Sequence, residues 1–123
     1  MDVLGYCKVI RVYVDEELKW NGKLFYKAIV DRLLEEKITA GATVFKGIEG
    51  FGSSSHLHTG RMVEIMESLP VVIEVVDKPE RALKALNLIE EMLPDHCLVT
   101  VHDTQVLHYH QKDGKHCRTK RWK

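Results

Sequence analysis

Residues 69–94 read LPVVIEVVDKPERALKALNLIEEMLP, and this stretch decides the fold. Its first half, Leu69 to Val76, is rich in β-branched residues and is the strongest strand signal in the chain. Asp77-Lys78-Pro79-Glu80 then opens a helix. Asp77 is expected to accept from first-turn amides, and Glu80 to reach back in a capping box. Pro79 fits there because a first-turn amide has no intrahelical acceptor. Leu83, Leu86 and Ile89, with Leu93 one turn on, are the expected buried face, and Pro94 ends the helix.

Working outward, Cys7 to Val14 (CKVIRVYV) reads as the first strand. Asp15 to Asn21 reads as a polar connection, with Asn21 capping a helix from about Gly22 to Lys37. Phe25, Ala28, Ile29 and Leu33 form that helix's apolar stripe. Ala40 to about Ile48 reads as a second strand, and Cys97 to Tyr109 as the last strand or strand pair, bending near Asp103-Thr104. The order β-α-β-β-α-β, with two right-handed crossovers, implies an α+β ferredoxin-like sandwich. A four-stranded, mostly antiparallel sheet carries both helices on one face.

The chain has 123 residues, which suits one domain, and its formal net charge is zero. The chain as a whole therefore lacks a field that would gather nucleic acid or anionic membrane. Lys112, Lys115, Arg118, Lys120, Arg121 and Lys123 make residues 111–123 a basic tail, set apart from a domain at 1–110. It is read as a solvated terminus. Cys7, Cys97 and Cys117 are odd in number and widely spaced, which points to a reducing compartment rather than a disulfide scaffold. With no signal-peptide pattern and no run of ~20 apolar residues, a cytoplasmic protein without membrane insertion is expected.

Strand alternation gives the sheet a second apolar face. Val9, Arg11 and Tyr13 of the first strand share it with Val72, Glu74 and Val76. Helices can cover only the other side. Arg11 and Glu74 fit two readings. One is a surface ion pair worth under ~1 kcal/mol. The other, favoured by the β-branched residues that flank both charges, is an oligomer interface comprising Arg11, Tyr13 and Glu74.

Strands two and three should form a hairpin, yet about twenty residues, from about Glu49 to Ser68, separate them, where hairpin loops usually hold ~2–5. Lys46-Gly47-Ile48-Glu49-Gly50-Phe51-Gly52 is followed by three serines. Glycines let backbone amides approach an anion, and Lys46 and Arg61 would supply charge. The pattern is neither a dinucleotide fingerprint nor a P-loop. A flexible hairpin tip is the plain alternative. His56 and His58, or His108, His110, His116 and Cys117, are the candidate metal ligands. No acidic or thiol partner stands at ligand spacing beside the first pair, the second group reads equally as a polar chain end, and no metal is expected.

Four ordered blocks resemble one family. They are Gly22-Lys23-Leu24-Phe25-Tyr26-Lys27-Ala28; Ala40 to Gly52 (AGATVFKGIEGFG); His58-Thr59-Gly60-Arg61; and Leu69 to Asp77. Together they look like the bacterial and archaeal PII-like proteins, long labelled a domain of unknown function, over roughly residues 5–109. The resemblance implies a homotrimer that binds an adenine nucleotide (ADP, ATP or AMP) in clefts between subunits. It places the site near Lys46, Gly47, Gly50, Phe51, Gly52, His58 and Arg61. It further implies that the long loop docks on a transporter, channel or enzyme; some members occur beside or fused to fluoride-export channels. Two departures stand out. Leu93-Pro94-Asp95-His96 lacks the Gly and Lys of the phosphate-holding loop of PII proteins, and residues 49–68 hold no tyrosine for uridylylation.

Other classes fit less well. An acylphosphatase-type enzyme needs an anion-binding Arg after the first strand, where this chain has Asp15-Glu16-Glu17. An RNA module needs exposed aromatics on strands one and three, and only Tyr13 qualifies. A metal sensor would rest on the histidines alone. The expectation is a regulatory protein without catalytic residues of its own.

Overall fold

The computed structural model describes residues 2–51, 69–94, 97–110 and 116–117. Its centre is β1 (Gly5–Asp15), an eleven-residue strand of alternating Val, Ile and polar residues. Two two-residue strands follow, β2 (Lys19–Trp20) and β3 (Lys23–Leu24), then α1 (Phe25–Glu35) and β4 (Thr43–Lys46). β5 (Pro70–Asp77), α2 (Pro79–Met92) and β6 (Leu98–Val106) complete the main body. A last pair, β7 (Tyr109–His110) and β8 (His116–Cys117), is antiparallel. The four-stranded sheet has the order β4-β5-β1-β6, and every neighbouring pair is antiparallel. This is the ferredoxin-like α+β arrangement expected from the element order.

One sheet face is the core. Ile10, Val12 and Val14 of β1 and Val71, Ile73 and Val75 of β5 meet Phe25, Ala28, Ile29 and Leu33 of α1. Ala82, Ala85, Leu88, Ile89 and Met92 of α2 complete it. Phe25 is 1 % exposed, and burying such a side chain contributes about 1.5–3 kcal/mol.

Several local expectations are corrected. Asn21 does not cap α1. It and Gly22 have positive φ, 49° and 83°, and form the two-residue turn of the β2–β3 hairpin, the type I′ geometry that Asn-Gly favours. The helix begins three residues later, with Leu24 as its N-cap and no side-chain cap bond. Nor is there a capping box at α2. Lys78 is the N-cap and no side chain caps it, although Pro79 sits in the first turn as expected. Leu83 is 58 % exposed; the buried stripe runs through Ala82, Ala85 and Ile89 instead, with Leu86 and Leu93 at its margin. β4 is shorter than expected, because residues 40–42 precede it and residues 47–48 follow it. β6 passes through Asp103 and Thr104 unbent, paired with Lys8 and Cys7.

Among the described residues no helix is long and apolar enough to cross a membrane.

Candidate functional site

The base of the β4–β5 connection is held by Glu16, just after β1. Its backbone N–H donates to the Leu69 carbonyl (3.0 Å). Its Oε1 accepts from the Leu69 N–H (2.9 Å), and Oε2 pairs with Lys46 Nζ (3.0 Å). One carboxylate thus ties the residue at the end of β4 to the residue just before β5. The Leu69 amide first, and Lys46 second, hold Glu16 below its ordinary carboxylate value.

Gly47 continues the ladder, donating to the Pro70 carbonyl at 2.7 Å. A Cβ on Gly47 would lie 2.8 Å from Pro70 Cγ, and one on Gly50 would lie 3.1 Å from the same atom. Both glycines let the chain fold closely over a proline ring, a packing reason that the sequence reading did not contain. Beyond them Ile48 and Phe51 are 94 % and 91 % exposed. The structure therefore packs Gly47 and Gly50 against Pro70, with Lys46, the residue before Gly47, paired to Glu16. Gly52, His58 and Arg61 lie outside the described residues, as do His56 and most of the long loop.

The second sheet face carries three cross-strand rows. Phe45, Val72, Tyr13 and Leu98 form one; Thr43, Glu74, Arg11 and Thr100 the next; Val76, Val9 and His102 the third. Directly opposed residues on a sheet share a face and touch. Phe45 and Leu98 remain 50 % and 57 % exposed, so both ends of this apolar row are open to solvent. Arg11 Nε donates to Glu74 Oε2 at 2.8 Å, and that bond raises Arg11 above its ordinary value. Arg11, Tyr13 and Glu74 do share the expected face.

At one end of the same face lies an open cleft of about 350 Å³. Ala40, Gly41, Ala42 and Thr43 line one side, Glu74 and Val76 the floor, and Val3, Val106 and Tyr109 the rest. A Cβ on Gly41 would meet nothing within 4 Å. The small residues leave backbone groups reachable, the valines and Tyr109 offer apolar and ring surface, and Thr43 and Glu74 supply a hydroxyl and a carboxylate. That mixture suits a flat heterocycle better than a phosphate, which Glu74 would repel. Lys46 is not part of this cleft. Strand alternation sends Thr43 and Lys46 to opposite faces of β4.

The cleft was not singled out from sequence. Its one local signal was the run Ala40-Gly41-Ala42, read as part of a strand. Among the described residues no group of three or more His, Cys, Asp or Glu side chains is placed to hold a metal ion.

A mixed α+β fold of this kind, with a four-stranded sheet and two helices, is shared with known proteins. The family model DUF190, "Uncharacterized ACR, COG1993", matches residues 7–106. The chain belongs to the DUF190 family. A UPF0166 protein of Aquifex aeolicus is 33 % identical over 102 residues, covering 82 % of this chain and 93 % of the relative. One of Methanocaldococcus jannaschii is 34 % identical over 99 residues, covering 80 % and 90 %. Among solved structures, the chain resembles CPII of Thiomonas intermedia K12, a nitrogen regulatory PII-like protein bound to ADP, AMP and bicarbonate. The TM-score is 0.53 at 18 % identity, over 82 % of this chain and 94 % of that one. At that identity the likeness establishes a PII-like fold.

Proposed function

We propose that this DUF190 chain is a PII-like regulatory protein without catalytic activity of its own. It assembles as a homotrimer in the cytoplasm and takes an adenine nucleotide, ADP, ATP or AMP, at clefts between subunits. It acts on a transporter, channel or enzyme through the β4–β5 connection.

The observation that carries this reading is the position of the cleft. It opens beside the uncovered apolar face, and Glu74 belongs to both. A neighbouring copy seated on that face would reach the cleft's edge, which is how a site between subunits is made. The base would lie between the 40–43 segment and Val76. The phosphates would run toward the connection that begins at Gly47, where the resemblance places Gly50, Phe51, Gly52, His58 and Arg61. The ligands of CPII, a protein of the same fold, support the choice of nucleotide. Lys46 enters only by giving up part of its pairing with Glu16.

Calorimetric titration of ADP, ATP and AMP, with a native mass measurement, tests this. Micromolar or weaker binding, about 8 kcal/mol at most, is the expected result. If none of the three binds at millimolar concentration, the nucleotide reading falls. A connection that only docks on protein then becomes the better account.

A further inference from the structure

Asp77 ends β5 and is 0 % exposed, the one charged residue in the buried set among the described residues. A buried carboxylate needs partners. Its Oδ2 accepts from the Ala40 N–H at 2.8 Å, across 37 residues of chain. Its Oδ1 accepts from the Lys78 N–H at 2.7 Å and from Arg81 Nε at 2.6 Å.

The two basic side chains then reach further. Arg81 Nη2 donates to the Asp2 carbonyl, and Lys78 Nζ to the Leu4 carbonyl. Between those two carbonyls sits Val3, 5 % exposed and lining the cleft. Ala40 opens the small-residue segment on the cleft's other side. The plain alternative, that Asp77 merely caps α2, does not hold, because Lys78 is the N-cap and the helix has no side-chain cap bond.

We propose that Asp77, with Lys78 and Arg81, is the positioning centre of the cleft. Its carboxylate holds the Ala40 wall directly and reaches the Asp2 carbonyl beside Val3 through Arg81, while Lys78, whose backbone N–H bonds Asp77, holds the Leu4 carbonyl with its own ammonium. Ligand occupancy and anchoring of the Asp2–Leu4 segment are therefore one linked equilibrium. The geometry stands on the hydrogen bonds alone; the ligand rests on the proposed function. Asp77, Lys78 and Arg81 are positioning residues and need not touch the ligand.

The test compares Arg81→Met, Arg81→Lys and Leu88→Ala, the last a core truncation that lines no part of the cleft. Each is titrated with ADP and followed, without ligand, by amide exchange at Ala40 and Leu4. Arg81→Met, acting on the ligand only through the wall it positions, should weaken ADP binding about fivefold to tenfold, the net size of one ordinary hydrogen bond. It should also speed exchange at both amides, and Arg81→Lys should recover part of each effect. Leu88→Ala should lower the thermal midpoint yet hold ADP affinity within about twofold, as distant sites act independently. Unchanged affinity in Arg81→Met, or an equal loss in Leu88→Ala, overturns the proposal. If the wild type binds no ADP, the nucleotide reading fails separately, and exchange decides. Faster Ala40 exchange in Arg81→Met supports the positioning centre, and an unchanged rate overturns it.

Discussion

Replacing Gly47 by alanine separates two reasons for a glycine at the loop base. A phosphate nest needs the residue only when ligand is bound. Packing against Pro70 needs it always. The new methyl would stand 2.8 Å from Pro70 Cγ and 3.3 Å from the Pro70 carbonyl oxygen. Unstrained contacts lie near 3.5–4.0 Å, so the ring must retreat by about 0.6 Å or more. The backbone has little freedom to help, because the Gly47 N–H is bonded to that same carbonyl at 2.7 Å. Overpacking of this kind costs about 1–3 kcal/mol. Gly47 is not among the positive-φ glycines, so alanine meets no backbone penalty and recovers about 0.4–1 kcal/mol from a stiffer unfolded chain. The expected net loss is about 1–2 kcal/mol. Urea unfolding at one fixed protein concentration, without ligand, reads it. Pro70→Ala removes the clashing ring, so the double variant should lose about 1 kcal/mol less than the sum of the singles. Wild-type stability in Gly47→Ala, or strict additivity, would refute the packing account.

Three further outcomes follow from the same geometry. Glu16 is depressed in the folded state by the Leu69 amide and Lys46. Its contribution is therefore full above the unfolded carboxylate value of about 4.3 and is lost as pH falls through the lower folded value. The urea midpoint should drop more steeply on acidification in wild type than in Glu16→Gln, and parallel profiles would contradict this. Gly22→Ala, at φ 83°, should cost about 1 kcal/mol, whereas Gly41→Ala should leave thermal stability unchanged because its Cβ enters open space. Leu98→Lys, at a position 57 % exposed in the single chain, should leave the subunit folded and reduce assembly by sedimentation; undiminished assembly would exclude this face as the interface.

The sheet was legible because its signals are local and repeated. Val71, Ile73 and Val75 alternate with Val72, Glu74 and Val76, and β1 does the same, so both faces follow from period two, while the Arg11–Glu74 pairing needed in addition that the βαββαβ order makes these strands neighbours, with the register supplied by the structure. The errors came where two rules compete for one residue. Asn21 is a good helix cap and Asn-Gly is also the strongest short hairpin turn; strands of two residues are too short to alternate, so nothing in the pattern exposed the hairpin. Asp77 likewise fits a cap, but the amide it reaches across the fold belongs to Ala40, a tertiary partner with no sequence signature. At α2, Leu83 looked like core by hydropathy, while the buried stripe is Ala82, Ala85, Leu88, Ile89 and Met92, in which two alanines stand where the larger leucines were expected.

The cleft was illegible for a deeper reason. Its walls come from Val3, from 40–43, from Glu74 and Val76, and from Val106 and Tyr109, four places that only the fold unites. None carries a titratable cluster or a fixed spacing, so no motif search could assemble them. The loop glycines drew attention instead, and two of them prove to be occupied with Pro70. Glu74 is where the two accounts meet. It pairs with Arg11 on the face that invites a second copy, and it lines the cleft. A copy covering the pair would desolvate both charges, which is tolerable only while each keeps the other as partner. A phosphate pressed against Glu74 would compete for Arg11 and set a like charge beside the carboxylate. An uncharged base would do neither. If a second copy and a nucleotide both meet this face as proposed, they would place the same demand on one residue: that Glu74 keep Arg11 as its partner.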